Sequence, residues 1–174
     1  MSKNELTTEK MTQALGWAYE KALNGIPGDL SSESLAKSYM KRFSSTDEAI
    51  HSLIKWQTAK SSTSGFVTGL GGIVTLPVAV PVNIASVLYV QMRMIAAIAY
   101  MRGYDLKDDQ VQTFVFICLT GQAASDILKQ SGITVGTKLT VQLIKKVPGA
   151  TLTKINQKVA FRLVTKFGEK GVIN

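Results

Sequence analysis

The sequence predicts an all-α protein: a single-domain helical bundle around a central apolar helical hairpin punctuated by glycine and proline. Three observations predict it. Apolar residues recur at three- and four-residue steps through most of the chain. Capping residues, glycines and prolines divide those runs into helix-sized pieces. Between Lys60 and Arg93 lie 32 residues without one charged side chain. A chain of 174 residues fits one domain, and folding at that size buries about 70% of the surface the unfolded chain exposes.

Residues 1–60 read as N-terminal amphipathic helices. Thr7 or Thr8 starts the first, with Glu9 near the positive end of the helix dipole. Met11, Leu15, Ala18, Tyr19, Ala22 and Leu23 form its apolar stripe, and Asn24-Gly25-Ile26-Pro27-Gly28 ends it. Ser31 or Ser32 opens a second helix through Leu35, Tyr39, Met40 and Phe43. Ser45-Thr46-Asp47-Glu48 resembles a cap before a third, with Ala49, Leu53, Ile54 and Trp56.

Residues 61–174 read as the helical core. A soluble surface helix normally places Lys or Glu on its water-facing side. The stretch from Ser61 to Gln91 has no such side, so it is either buried all round or in contact with lipid. Gly65, Gly69 and Gly72 share one side of a helix, a spacing that lets a second backbone approach closely. Pro77 and Pro81 interrupt the run, because each lacks an N–H and disfavours helix in the residue before it. Two shorter helices joined near Leu76–Val82 fit better than one long span. The second arm, Val82–Met101, carries Arg93 near its middle, which costs about 2.5–3.5 kcal/mol on membrane-insertion scales. A re-entrant or deeply buried hairpin is compatible with that arginine. A simple span is not.

Gly103 closes the second arm, and a cap at Asp108 or Asp109 begins a helix read as continuous from Val111 to Leu128 and ended by Gly132. Thr134–Val147 favours helix, with strand as the minority alternative because of its β-branched content. Pro148-Gly149 breaks it. The final helix, about Leu152–Phe167, places Lys154, Lys158, Arg162, Lys166 and Lys170 at four-residue steps, a basic face about 160° wide. Ile155, Val159, Leu163 and Phe167 run parallel to it. The pattern is that of an interfacial amphipathic helix; the competing reading is a core-packed helix with a solvated outer face.

Net charge is +8. Residues 129–174 carry nine basic groups against the single acid Glu169, so the excess is local and reads as attraction to an anionic partner or as a solubilising face. Cys118 is the one cysteine, which rules out an intramolecular disulfide. No apolar leader follows Met1, so a cytoplasmic location is expected.

Catalytic chemistry finds little support. His51 is the only histidine, which excludes histidine-rich zinc sites and the HExxH motif. Asp105, Asp108 and Asp109 lack the DxDxDG grammar of a calcium loop and read as helix caps. The run Gly65–Gly72 lacks the GK[ST] ending of a phosphate loop, and Gly69-Leu70-Gly71 meets Val74 where a dinucleotide loop needs its third glycine. No catalytic, metal-binding or cofactor-binding residue is assigned, and no cofactor is expected. Nucleic acid is disfavoured as a partner, since only charge supports it.

The central block resembles the EcsC protein family. The resemblance rests on Gly69-Leu70-Gly71-Gly72-Ile73-Val74-Thr75-Leu76-Pro77, on Pro81-Val82-Asn83-Ile84-Ala85-Ser86, and on Tyr89-Val90-Gln91-Met92-Arg93 through Ala99. It continues with Gly103-Tyr104-Asp105, Cys118-Leu119-Thr120-Gly121, Ile155-Asn156 and Thr165–Asn174, covering roughly residues 55–174. The resemblance implies a helical, membrane-associated bacterial protein, in a family named for a member encoded beside an ABC transporter and without a general assigned activity. Some relatives have an acid where Asn83 stands, which puts any proton or ion role there in doubt. Relatives commonly continue beyond the Asn174 position, so the chain is read as a fragment or as a short member with an apolar edge that favours self-association.

The expected function is therefore non-enzymatic. The leading expectation is peripheral or re-entrant association with the inner face of the membrane, through anionic lipid and a membrane-protein partner such as a transporter, with homo-oligomerisation as a further contact. Gly65, Gly69, Gly72, Pro77, Pro81, Asn83 and Arg93 are the hairpin contacts, and Lys154, Lys158, Arg162, Lys166 and Lys170 the basic face. The alternatives are a membrane-permeabilising hairpin effector and a soluble all-α interaction module whose core is the 61–101 hairpin.

Overall fold

The structure, a computed structural model, describes residues 5–61, 80–134, 136 and 142–169. Gly65, Gly69, Gly72, Pro77 and Lys170 lie outside the described residues, as does the first arm of the hairpin. The protein is all-α, a packed helical bundle. The helices are α1 (Thr8–Asn24), α2 (Ser32–Met40), α3 (Thr46–Ser61), α4 (Val82–Met101), α5 (Asp109–Cys118), α6 (Ala124–Gln130) and α7 (Gly149–Glu169). A 3-10 turn, Gly121–Ala123, precedes α6, and residues 142–145 are helical.

The helix starts follow from side-chain oxygens that satisfy first-turn N–H groups. Thr7 accepts from Lys10 N at 3.2 Å, Ser31 from Ser34 N at 3.2 Å, Ser45 from Glu48 N at 3.2 Å and Asp108 from Gln110 N at 3.0 Å. At the far end of α1, Gly25 adopts φ +78°, and a β-carbon there would stand 3.1 Å from Ser31 N and 3.2 Å from Asp29 O. The α1–α2 corner is thus built around a glycine that no other residue replaces without strain.

Val82–Met101 is the one helix among the described residues long and apolar enough to cross a membrane by length and composition, and 56% of its 18-residue window is buried in the protein. Its apolarity has a use within the fold. Helices α1, α2, α3 and α5 all pack against α4, which therefore serves as a wall shared by two apolar layers. On one side Ile84, Leu88, Tyr89, Met92 and Ala96 join Met11, Leu15 and Ala18 of α1 and Val159 and Leu163 of α7. On the other, Ala97 and Met101 join Leu35, Tyr39, Ile50 and Leu53 of α2 and α3. Helix α7 completes the larger layer by packing on α1 and α5.

Three expectations need correction. The segment after Asp108 is two helices, not one continuous run. Gly121 takes φ +63° and Thr120 Oγ donates to Ile117 O at 2.6 Å, so the chain turns between α5 and α6. The final helix begins at Gly149, earlier than Leu152, because the Pro148 carbonyl accepts from Thr151 N and Leu152 N and so starts the helix that proline was expected only to precede. Met40, Phe43, Ile54 and Trp56 do not belong to the buried stripes: all four are exposed, Trp56 by 60%. Helices α2 and α3 bury the strips that face α4 and each other, and α2 also meets α1 through Ser32.

The shared wall makes a direct stability prediction. Leu88 is fully buried on α4, and Leu88→Ala leaves a cavity expected to cost about 2–5 kcal/mol. Urea denaturation of the two proteins measures it; a loss below about 1 kcal/mol would mean that α4 does not pack as described.

Candidate functional site

Two sets of residues singled out by the sequence are described, and the structure keeps them apart. One is Arg93, in the heart of the bundle. The other is the basic face of α7, on its surface.

Arg93 is 3% exposed, a charge that burial would penalise heavily without partners. It has them. Its Nη2 lies 2.8 Å from Asp29 Oδ1, and both side chains are almost fully buried. Arg93 Nε donates to Leu30 O at 2.7 Å and Nη1 to Gln57 Oε1 at 3.3 Å. The Tyr89 hydroxyl, one turn earlier on α4, donates to Asp29 Oδ2 at 3.1 Å. Burial, with the Asp29 carboxylate beside it, holds that hydroxyl well above the ordinary tyrosine range. Ser32 Oγ stands 3.0 Å from Ala22 O and 3.2 Å from Arg93 O, so its single hydrogen is shared between carbonyls of α1 and α4. The cluster joins α1, the α1–α2 corner, α2, α3 and α4. It has the character of a structural junction, since each nitrogen of Arg93 and the hydroxyls of Tyr89 and Ser32 meet a protein acceptor.

The sequence singled out Arg93 but not its partners. No motif marks Asp29 or Gln57, and Ser32 figures in the sequence only as a possible start of α2. One signal could have found Asp29: it is the sole acid between Lys21 and Glu33, placed by a Gly/Pro corner. Pro81 takes the N-cap position of α4 with no side-chain capping bond. Asn83 is exposed at the start of the same helix, away from Arg93 in sequence by almost three turns.

On α7 the apolar stripe is spent on the core. Leu152, Ile155, Val159, Leu163 and Phe167 are buried against the bundle, and Thr113 Oγ1 donates to Asn156 Oδ1 at 3.0 Å across the α5–α7 contact. Lys154, Lys158 and Arg162 are exposed, and Lys166 is half-buried. Among the described residues none of Lys154, Lys158 and Arg162 has a carboxylate within ion-pair distance. Phe161 stands among them, 62% exposed. Between α6 and α7 a shallow groove of about 580 Å³ is lined by Asp126, Gln130, Lys154, Lys158, Phe161 and Arg162. Phe161 is the surface residue that periodicity missed, because it belongs neither to the apolar stripe nor to the four-residue series of cations.

Metal and nucleophile chemistry gain nothing from the geometry. Among the described residues no group of three His, Cys, Asp or Glu could hold a metal ion. Asp108 caps α5, and Asp105 Oδ1 accepts from Lys107 N at 2.9 Å, both as turn-forming residues. His51 is exposed on α3. Burial pushes the Cys118 thiol up to about 11.

A profile of the EcsC protein family matches residues 2–160. The chain belongs to this family. No curated protein and no solved structure matches it. The matched span takes in α1, α2 and α3, so the EcsC pattern includes the α1–α2 corner that supplies Asp29 and the helix α3 that supplies Gln57 to Arg93, as well as α4. It ends at Ala160, inside α7.

Two outcomes are expected of this chemistry. Arg93→Ala strands a buried carboxylate and should destabilise the EcsC protein by about 3–5 kcal/mol in urea denaturation, whereas Asp29→Asn with Arg93→Met should recover part of that loss. A loss under about 1 kcal/mol for Arg93→Ala would show the pair to be hydrated. At pH 8 the raised Cys118 value leaves the thiol protonated, so alkylation by iodoacetamide should run about 100-fold slower than in the urea-unfolded chain. Equal rates would contradict the burial.

Proposed function

We propose that this EcsC protein is a non-enzymatic helical module that rests on an anionic membrane surface through the outer face of α7. The observation that carries the reading is the division of labour on that helix: its apolar stripe is committed to the core, and its outer surface carries exposed Lys154, Lys158 and Arg162, with no ion-pair partner among the described residues, beside an exposed Phe161. Basic groups near an anionic leaflet contribute about 1 kcal/mol each, and an aromatic ring among them suits the headgroup boundary. Contact of this kind is peripheral. The helix does not have to leave the bundle.

On this reading the chain works at the cytoplasmic face of the membrane, where a membrane-protein partner or a second copy is a contact of the same surface. Burial of α4 supports a soluble interaction module as the second reading, with lipid contact absent. Insertion of α4 as a pore-forming arm is the least favoured, because it would carry Arg93 into lipid or strip it of Asp29, Leu30 and Gln57.

Co-sedimentation with phosphatidylglycerol vesicles at low salt should retain the protein, and neutral phosphatidylcholine vesicles should not. Replacing Lys154, Lys158 and Arg162 together by Gln is expected to lower the partition coefficient about 100-fold or more, and high salt to do the same to the parent chain. No sedimentation with anionic vesicles, or none lost in the triple variant, would end the proposal. Dye release from the same vesicles would favour the permeabilising alternative.

A further inference from the structure

On the side of the bundle formed by α2, α3 and α4 lies an open cleft of about 540 Å³, lined by Leu30, Leu35, Tyr39, Arg42, Gln57 and Arg93 among others. Its size falls in the range of small-molecule sites, and its polar lining is one-sided. Arg42 is fixed in place: Nε donates to Ser38 O at 3.1 Å, and the guanidinium sits 4.6 Å from the Tyr39 ring centroid. A guanidinium has five N–H donors, so the four on the Nη atoms of Arg42 remain, and among the described residues no carboxylate pairs with them.

The floor of the cleft repeats the imbalance. Arg93 uses one N–H on each of its three nitrogens for Asp29, Leu30 and Gln57, which leaves two. Gln57 accepts from Arg93 through Oε1, so its amide N–H₂ is a donor group as well. The one carboxylate in the lining, Asp29, is already engaged by Arg93 and Tyr89. Donors are plentiful, and acceptors for them are scarce. Leu30, 48% exposed, and Leu35 add an apolar wall beside the charged end.

We infer that this cleft binds a small organic anion, with a carboxylate or phosphate group held by Arg42, Arg93 and Gln57 and an apolar body against Leu30, Leu35 and Tyr39. Charge-assisted bonds from a planar guanidinium suit both oxyanions, which it engages in pairs. Stacking on Tyr39 preorganises Arg42, so less side-chain freedom is lost when the ligand arrives. The site is separate from the α7 face. It shares no lining residue with the groove between α6 and α7.

Isothermal titration of the full chain with inorganic phosphate, glycerol phosphate and succinate tests the inference. At least one probe should bind saturably in the millimolar range or tighter. Arg42→Gln, a change at an exposed side chain, should weaken that binding 10-fold or more and leave the far-ultraviolet circular dichroism unchanged. The triple Gln variant of Lys154, Lys158 and Arg162 should bind the probe as the parent does. Absence of saturable binding by all three probes would overturn the assignment. So would equal binding by Arg42→Gln, or loss confined to the α7 variant.

Discussion

The contact between Asp29 and Arg93 is the constraint on which the rest of this bundle depends. A guanidinium buried at the middle of an apolar helix needs a counter-charge, and the acid comes from the corner between the first two helices. That corner has the shape it has because Gly25 turns with positive φ and sits where a β-carbon would crowd Ser31 N and Asp29 O. Leu30 and Gln57 then take further guanidinium hydrogens, and Tyr89 takes the remaining carboxylate oxygen. Net stabilisation by such a pair is small, since desolvation offsets most of the attraction. Its effect is on register: a slip of one turn along α4 would separate the ions and leave both buried.

This constraint also explains how an apolar helix with the length of a membrane span belongs in a packed bundle. A helix surrounded on two sides by other helices has little use for charge, and α4 separates a larger core layer from a smaller one. Its composition follows from that position. A basic face lies elsewhere, on α7, which gives its apolar stripe to the core and Lys154, Lys158 and Arg162 to solvent. Among the described residues, Arg93 on the apolar helix α4 and the cations Lys154, Lys158 and Arg162 of α7 line different clefts.

Much of the architecture was legible in the residues. Caps narrowed to Thr7 or Thr8, Ser31 or Ser32 and Asp108 or Asp109, the stop at Asn24–Gly25 and the interval Val82–Met101 all rest on local chemistry, which sequence displays directly; the geometry chooses the first of each pair. The exposure of Lys154, Lys158 and Arg162 on α7 follows from a strict spacing on a regular helix, whereas Lys166 is half-buried. The break at Gly121 was not legible, because a lone glycine inside an apolar run is as compatible with a helix interior as with a turn until its φ is known. Exposure of Trp56 and Ile54 was missed because periodicity shows which residues share a face but not how wide a strip its neighbours cover. The partners of Arg93 were invisible for a more basic reason: Asp29 and Gln57 lie far from it along the chain, and no local pattern marks a residue for a distant ion.

That distance has a consequence for biosynthesis. Arg93 donates to Leu30 across 63 residues, and a ribosome adds about 5–20 residues each second. For several seconds the first two helices are therefore outside the ribosome without their counter-ion, and the cavity that will receive α4 stays open to water. Premature closure around Asp29 would trap an anion with nothing to neutralise it.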